Sequence, residues 1–166
     1  MNKWLLLILF VCCGVSGCIK SNSDLEQAKA QAAIDDKIIA NYIAANNLTG
    51  KALKANDTTG VYYIVEQPGV GNDLFSSSTL VTLGFTGKLL TTQKVFIATD
   101  TTYHPAFQLG QVIIGWQLGI PKIKKGGIVR ILIPSRDAYG AYAQPQIGLP
   151  ANAVLDFEIQ LYDIQN

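Results

Sequence analysis

The sequence predicts an α+β fold: an antiparallel twisted β-sheet wrapping one short helix, preceded by an N-terminal helix. Three observations carry this. Between Val154 and Ile164, Leu155, Phe157, Ile159 and Leu161 alternate with Asp156, Glu158 and Gln160, the two-residue period of a strand with one buried face. Thr79 to Phe85 repeats that alternation, with Val81, Leu83 and Phe85 set against Thr82 and Gly84. Val112 to Gly119 fits about two turns of helix, ended by Gly119 and Pro121. Strands, then a short helix, then strands favour a sheet covered on one face by that helix.

The other elements follow in chain order. Asp24 to about Asn46 lacks Gly and Pro, is rich in Ala, and repeats Ala30, Ile34, Ile38 and Tyr42 at four-residue spacing. This is an amphipathic helix, widened by Ile39 and Ile43 and capped by Asn22, Ser23 or Asp24. Such a stripe either packs on its own domain or pairs with another subunit, and the oligomeric state stays open. Polar and turn-forming residues dominate from Asn46 to Gly60 and mark a boundary. Val61 to Glu66 reads as a strand closed by Pro68-Gly69, and Ile128 to Ile133 as a strand apolar on both faces.

The first residues are of another kind. Lys3 is followed by a mostly apolar run from Trp4 to Cys13 and then by Val15-Ser16-Gly17-Cys18. The run is shorter than the ~20 apolar residues that span a bilayer. It reads as a secretory leader, residues 1–17, whose small residues mark the cleavage point. Cys18 directly after them resembles the acylated cysteine of the bacterial lipoprotein lipobox, which implies a membrane partner reached through lipid on Cys18. Cys12 and Cys13 leave with the leader, so Cys18 is the sole mature thiol and no disulfide is expected.

With 49% apolar and 15% charged residues, the rest of the 166-residue chain can bury a core. Without Lys3, 12 basic residues face 12 acidic ones. A neutral chain has no counterion-release drive towards nucleic acid. Lys122, Lys124 and Lys125 sit beside glycines and read as a solvated turn. One histidine, His104 in a polar stretch, leaves Ser-His-Asp and Cys-His chemistry and His/Cys zinc sites without parts. No metal or cofactor is expected.

The most specific signal is an ordered series: Val112, Ile113, Gly115 and Trp116, then Gly126, then Ala138-Tyr139-Gly140, then Pro150, Asn152, Ala153 and Phe157. Upstream stand Phe85-Thr86-Gly87 and Lys94-Val95-Phe96. This series resembles the FKBP-type peptidyl-prolyl cis-trans isomerases. The resemblance implies an FKBP-like domain over residues 58–166, after a helix and linker over 18–57, that isomerises X-Pro bonds in unfolded or folding polypeptides of the bacterial envelope. Trp116 would floor the pocket, with Phe96 and Phe157 as walls. Tyr139 would offer its hydroxyl to one substrate carbonyl and the Ile113 backbone N–H would serve another. Phe85, Ile97, Val112, Ile113 and Leu149 would complete the substrate surface, while Phe107 packs beneath. Periplasmic members often carry longer N-terminal helices that dimerise them.

The sequence also departs from the family. The carboxylate usually found after KVF is Ile97, the tyrosine before Thr-Gly is Phe85, the Pro or Arg before Gly-Trp is Ile114, and the acidic residue often found after that Trp is absent. The cleft becomes greasier, which keeps open a non-catalytic FKBP-like module that holds a peptide or acts as a chaperone.

Overall fold

In the computed structural model the backbone is described over residues 18–166 and the side chains from Asn22 onward. The expected leader, residues 1–17, lies outside the described residues, as does the side chain of Cys18.

Seven strands form one antiparallel sheet: β1 (Leu53–Lys54), β2 (Tyr62–Gln67), β3 (Leu80–Leu89), β4 (Val95–Ala98), β5 (Ala106–Gln108), β6 (Ile128–Ile133) and β7 (Leu155–Gln165). Their order is β1-β2-β6-β7-β3-β4, with β5 also on β3. Ten-residue β3 is the organiser. One edge pairs with β7 along its whole length, from Leu80↔Gln165 to Leu89↔Leu155. Its other edge takes β5 at Leu80–Thr82 and β4 at Thr86–Lys88. Strand character thus continues past Phe85, where the side-chain alternation stops at Gly87, because β7 supplies a partner to every later residue.

The inner face is apolar by alternation. Val129, Ile131 and Ile133 of β6 and Phe157, Ile159 and Leu161 of β7 enter one core with Val81 and Leu83 of β3. Onto it packs α2 (Ile114–Gly119), six residues that run straight into a 3-10 turn, Ile120–Lys122. A helix this short has little stability of its own and depends on its packing. That packing is unusually close. A Cβ on Gly115 would lie 2.5 Å from two carbons of Ile133, and one on Gly119 would meet Ile131 Cδ1 and Cγ1 at no more than 2.7 Å. Both isoleucines are fully buried, so neither has room to move aside.

The outer face is covered by α1 (Cys18–Ala45). This explains why β6 is apolar on both sides: Leu132 points outward and joins Ile39, Leu90 and Val154 in a second buried cluster, with Ile38, Tyr42, Ile43 and Tyr62 around it. Polar contacts fix the docking. Asp35, fully buried, accepts hydrogen bonds from the Ser135 N–H at 2.8 Å and Oγ at 2.6 Å. Arg130 donates from Nε and Nη2 to both oxygens of Asp156 and, through Nη2, to the Tyr42 hydroxyl at 2.6 Å. Arg136 donates to Asp36 at 2.7 Å and to the Ala32 carbonyl at 3.3 Å.

The buried face of α1 follows the expected stripe only in its later part: Ile38, Ile39, Tyr42 and Ile43 belong to the outer cluster, whereas Ile34 is 52% exposed. The helix is turned so that Asp35, Ile39 and Tyr42 face inward. Asp35 accepts from the Ser135 N–H and hydroxyl, and hydrophobic spacing alone carries no sign of this. No helix among the described residues is long and apolar enough to cross a membrane.

Candidate active site

The residues singled out in the sequence converge on the rim and floor of the inner core. Trp116, 6% exposed, lies at the centre. Around it the rings of Phe85 at 4.9 Å, Phe157 at 5.0 Å and Phe107 at 5.9 Å meet it edge to face. Phe96 in turn stands edge-on to Phe157 at 5.6 Å. Such tilted pairs set the positive ring edge against the negative ring face and contribute about 0.5–1.5 kcal/mol each beyond burial. The Trp116 Nε1 proton is buried and has no hydrogen-bond partner among the described residues.

Gly87 gives this cluster its shape. It pairs with Phe157 across β7 and with Ile97 across β4. A Cβ there would lie 2.6 Å from Phe157 Cε1, 2.8 Å from Phe96 Cζ and 2.9 Å from Ile97 Cγ2. The missing side chain is the space into which both expected wall residues lean.

All nine expected pocket residues belong to one apolar cluster, but at different depths. Trp116, Phe157 and Leu149 are buried, the last two at 2% exposure. Phe85, Phe96, Ile97, Val112, Ile113 and Tyr139 are half-buried against them and form the reachable rim. Leu149 anchors a loop: its N–H donates to the Gln144 carbonyl at 3.1 Å and its carbonyl accepts from the Gln144 N–H at 2.8 Å. The loop so closed presents Ile147 to the cluster, a residue whose turn context carried no signal in the sequence.

Tyr139 is placed by its neighbours. The Gly140 N–H donates to the Ser135 carbonyl at 2.8 Å, and the Asn152 N–H donates to the Gly140 carbonyl at 2.8 Å. Gly140 has φ 60° and Asn152 φ 56°, left-handed conformations that glycine and asparagine tolerate best, which accounts for both residue types in the ordered series. Burial pushes the Tyr139 phenol above its ordinary range, so the group is a neutral donor at physiological pH. Its hydroxyl has no partner among the described residues.

The chain between the 3-10 turn Leu109–Gln111 and α2 is held by its carbonyls. The Ile113 carbonyl accepts from the N–H groups of Trp116 at 2.9 Å and Gln117 at 3.2 Å. The Val112 carbonyl accepts from the Gln117 side-chain amide at 2.7 Å. His104 lies elsewhere, stacked on Tyr162 with ring centroids 3.7 Å apart.

The family profile described as FKBP-type peptidyl-prolyl cis-trans isomerase matches residues 72–162, which takes in all nine expected pocket residues. The chain is 37% identical over 116 residues to the FKBP-type peptidyl-prolyl cis-trans isomerase FkpA of Escherichia coli, covering 69% of this chain and 41% of that protein. It is 34% identical over 120 residues to FkpA of Buchnera aphidicola, covering 70% and 47%. Among solved structures, that of FkpA from Escherichia coli superposes with a TM-score of 0.67 at 29% identity, over 87% of this chain and 66% of that one. A peptidyl-prolyl cis-trans isomerase from Pseudomonas syringae gives a TM-score of 0.68 at 24% identity, over 84% and 96%, and supports the fold. The chain belongs to the FKBP-type peptidyl-prolyl cis-trans isomerase family, and its α+β fold is the one expected. It spans less than half the length of these curated relatives.

One group near the site is out of balance. Asp137, two residues before Tyr139, is 8% exposed, and its Oδ2 has no hydrogen bond among the described residues. Burial pushes its carboxyl above the ordinary value of 3.8; Arg136, with Nε 3.8 Å away, opposes this, while Asp36 and Asp35 add to it. A carboxyl raised on folding contributes stability that is full below the unfolded value and lost as pH rises through the folded one. Asp137→Asn should therefore be more stable than the parent at pH 7 by about 1 kcal/mol, the low end of the cost of an unpaired buried polar group. The gain should vanish towards pH 3. Urea unfolding at both pH values checks this; an equal gain at both, or a loss at pH 7, would refute it.

Proposed function

We propose that this chain is a lipid-anchored prolyl isomerase acting on unfolded or folding polypeptides at the bacterial envelope. The observation that carries the catalytic part is the Trp116-centred aromatic cluster, rimmed by half-buried apolar side chains, with the Tyr139 hydroxyl as a neutral donor beside it. Rotation about X-Pro breaks amide resonance at a cost of ~18–20 kcal/mol. The planar amide is charge-separated and the twisted one is less so. A cleft of rings and aliphatic carbons therefore binds the twisted form better than the planar one, and each ~1.4 kcal/mol of that difference accelerates turnover tenfold. Nothing needs to be deprotonated. Trp116 and Phe157 supply the floor, with Phe96, Phe85, Ile97 and Val112 as sides, while the Tyr139 hydroxyl and the Ile113 N–H hold the flanking carbonyls.

A second reading, a non-catalytic peptide-binding module, is favoured by one observation. Ile97 and Phe85, half-buried against this cluster, carry no polar side-chain atom, so a peptide bound there is oriented by fewer groups. Exchange spectroscopy on peptides with varied residues before proline decides between the readings. The expected result is exchange above background, with Ile97→Asp plus Phe85→Tyr raising kcat/KM by more than the two single changes combined. Background rates on every peptide would sink the catalytic reading.

Cys18 supports the anchored part. It opens α1, and the Ala32 carbonyl of that helix accepts from Arg136 of the domain. Fourteen residues at 1.5 Å each put about 21 Å of helix between Cys18 and Ala32. Each buried methylene of an acyl chain contributes ~0.8 kcal/mol, so two or more chains hold firmly. Cys18→Ala should move the protein out of the membrane fraction or leave an uncleaved precursor; normal processing with unchanged membrane association would contradict it.

A further inference from the structure

Gln117 stands where the family often has an acidic residue after its tryptophan. In this chain that position does something a carboxylate cannot. Its Nε2 donates to the Val112 carbonyl at 2.7 Å, in a half-buried setting. The acceptor is the oxygen of the peptide unit joining Val112 to Ile113. That unit is planar and trans, so its C=O and its N–H point in opposite directions. Fixing the oxygen fixes the line of the Ile113 N–H.

Three further features make this bond more than local decoration. Ile113 is extended, with φ −58° and ψ 149°, and caps α2 without any side-chain bond. Its carbonyl is taken by the N–H groups of Trp116 and Gln117, so Gln117 grips both the Val112 and the Ile113 carbonyls. The Ile113 N–H itself has no partner among the described residues. Donation to a carbonyl also polarises the peptide, which strengthens the N–H at its other end as a donor.

We infer that Gln117 is a positioning residue for prolyl isomerisation, clamping the Val112–Ile113 peptide so that the Ile113 N–H meets a substrate carbonyl in a fixed direction. The inference rests on the isomerase reading above. It also gives the neutral amide a reason: an ionised Glu at this position would place a negative oxygen against the Val112 carbonyl and swing away.

The pH behaviour of Gln117→Glu tests it, because a protonated Glu can donate to that carbonyl and an ionised one cannot. Wild type and variant are compared by exchange spectroscopy on one X-Pro peptide between pH 4 and 8. In wild type kcat/KM should stay flat. In Gln117→Glu it should fall about tenfold at pH 7, the worth of one hydrogen bond, and recover as pH approaches the ordinary Glu value of about 4.3. Gln117→Met, of similar length with no donor, should show the loss at every pH and no recovery. In the free proteins the Ile113 amide proton should move upfield in Gln117→Met and in ionised Gln117→Glu, as a less polarised N–H would. A pH-independent Gln117→Glu, or an Ile113 amide signal unchanged in Gln117→Met, would overturn the inference. A wild type without turnover would overturn the isomerase reading and the role built on it, whereas the Ile113 signal, read without substrate, reports on the clamp separately.

Discussion

The close approach of α2 to β6 is the constraint on which the rest depends. Gly115 and Gly119, four residues apart, turn one bare face of a short helix onto Ile133 and Ile131. With backbone against side chain, the indole of Trp116 lies down into the core and meets three phenylalanine rings. A helix held one methyl group further out would leave that ring stack without its centre. Two glycines within six helical residues work against helix formation. The sheet contact must offset that penalty, which makes this the place where packing overrides propensity.

The same sheet is committed on its other side. Leu132, Arg130 and Asp156 point away from the cleft and are covered by the second half of α1. The strands that position Phe157 and Trp116 are thus clamped between two helices, one against each face. Asp35 ties α1 to Ser135, the residue whose carbonyl also accepts from Gly140 beside Tyr139. Through that shared residue the outer helix braces the turn that carries the phenol. The first half of α1, before Ala32, bears none of these contacts, and an exposed Leu25 and the Glu26–Lys29 pair lie on it.

What the sequence made legible were the long elements with a clean period: β7, β6, most of β3, and the existence of both helices. The spaced glycines and aromatics from Val112 to Phe157 identified the family because each occupies a spot where backbone angle or clearance leaves few alternatives, as at Gly140 and Asn152. Strands β1, β4 and β5 have two to four residues, too few for any period, and exist because β2 and β3 offer open edges. On α1 the spacing showed Ile38, Ile39, Tyr42 and Ile43 as the inward face, but not that a buried carboxylate, Asp35, extends that face where Ile34 stays exposed. Gln117 was visible only as a missing acid; its use appears once the Val112 carbonyl stands 2.7 Å from its amide.

The most direct test of this account is the stability of Gly119→Ala. In an open helix the change would stabilise by about 1 kcal/mol. Against Ile131 it should instead cost about 1–3 kcal/mol, the usual penalty of overpacking. Trp116 is the sole tryptophan outside residues 1–17, so in protein expressed from residue 18 onward its emission reports the seat of the indole. Urea unfolding should show the lower stability, with native-state emission shifted to the red as the ring is lifted towards solvent. A variant as stable as the parent or more so, with unchanged emission, would contradict the claim that glycine-permitted contact between α2 and β6 sets the cleft.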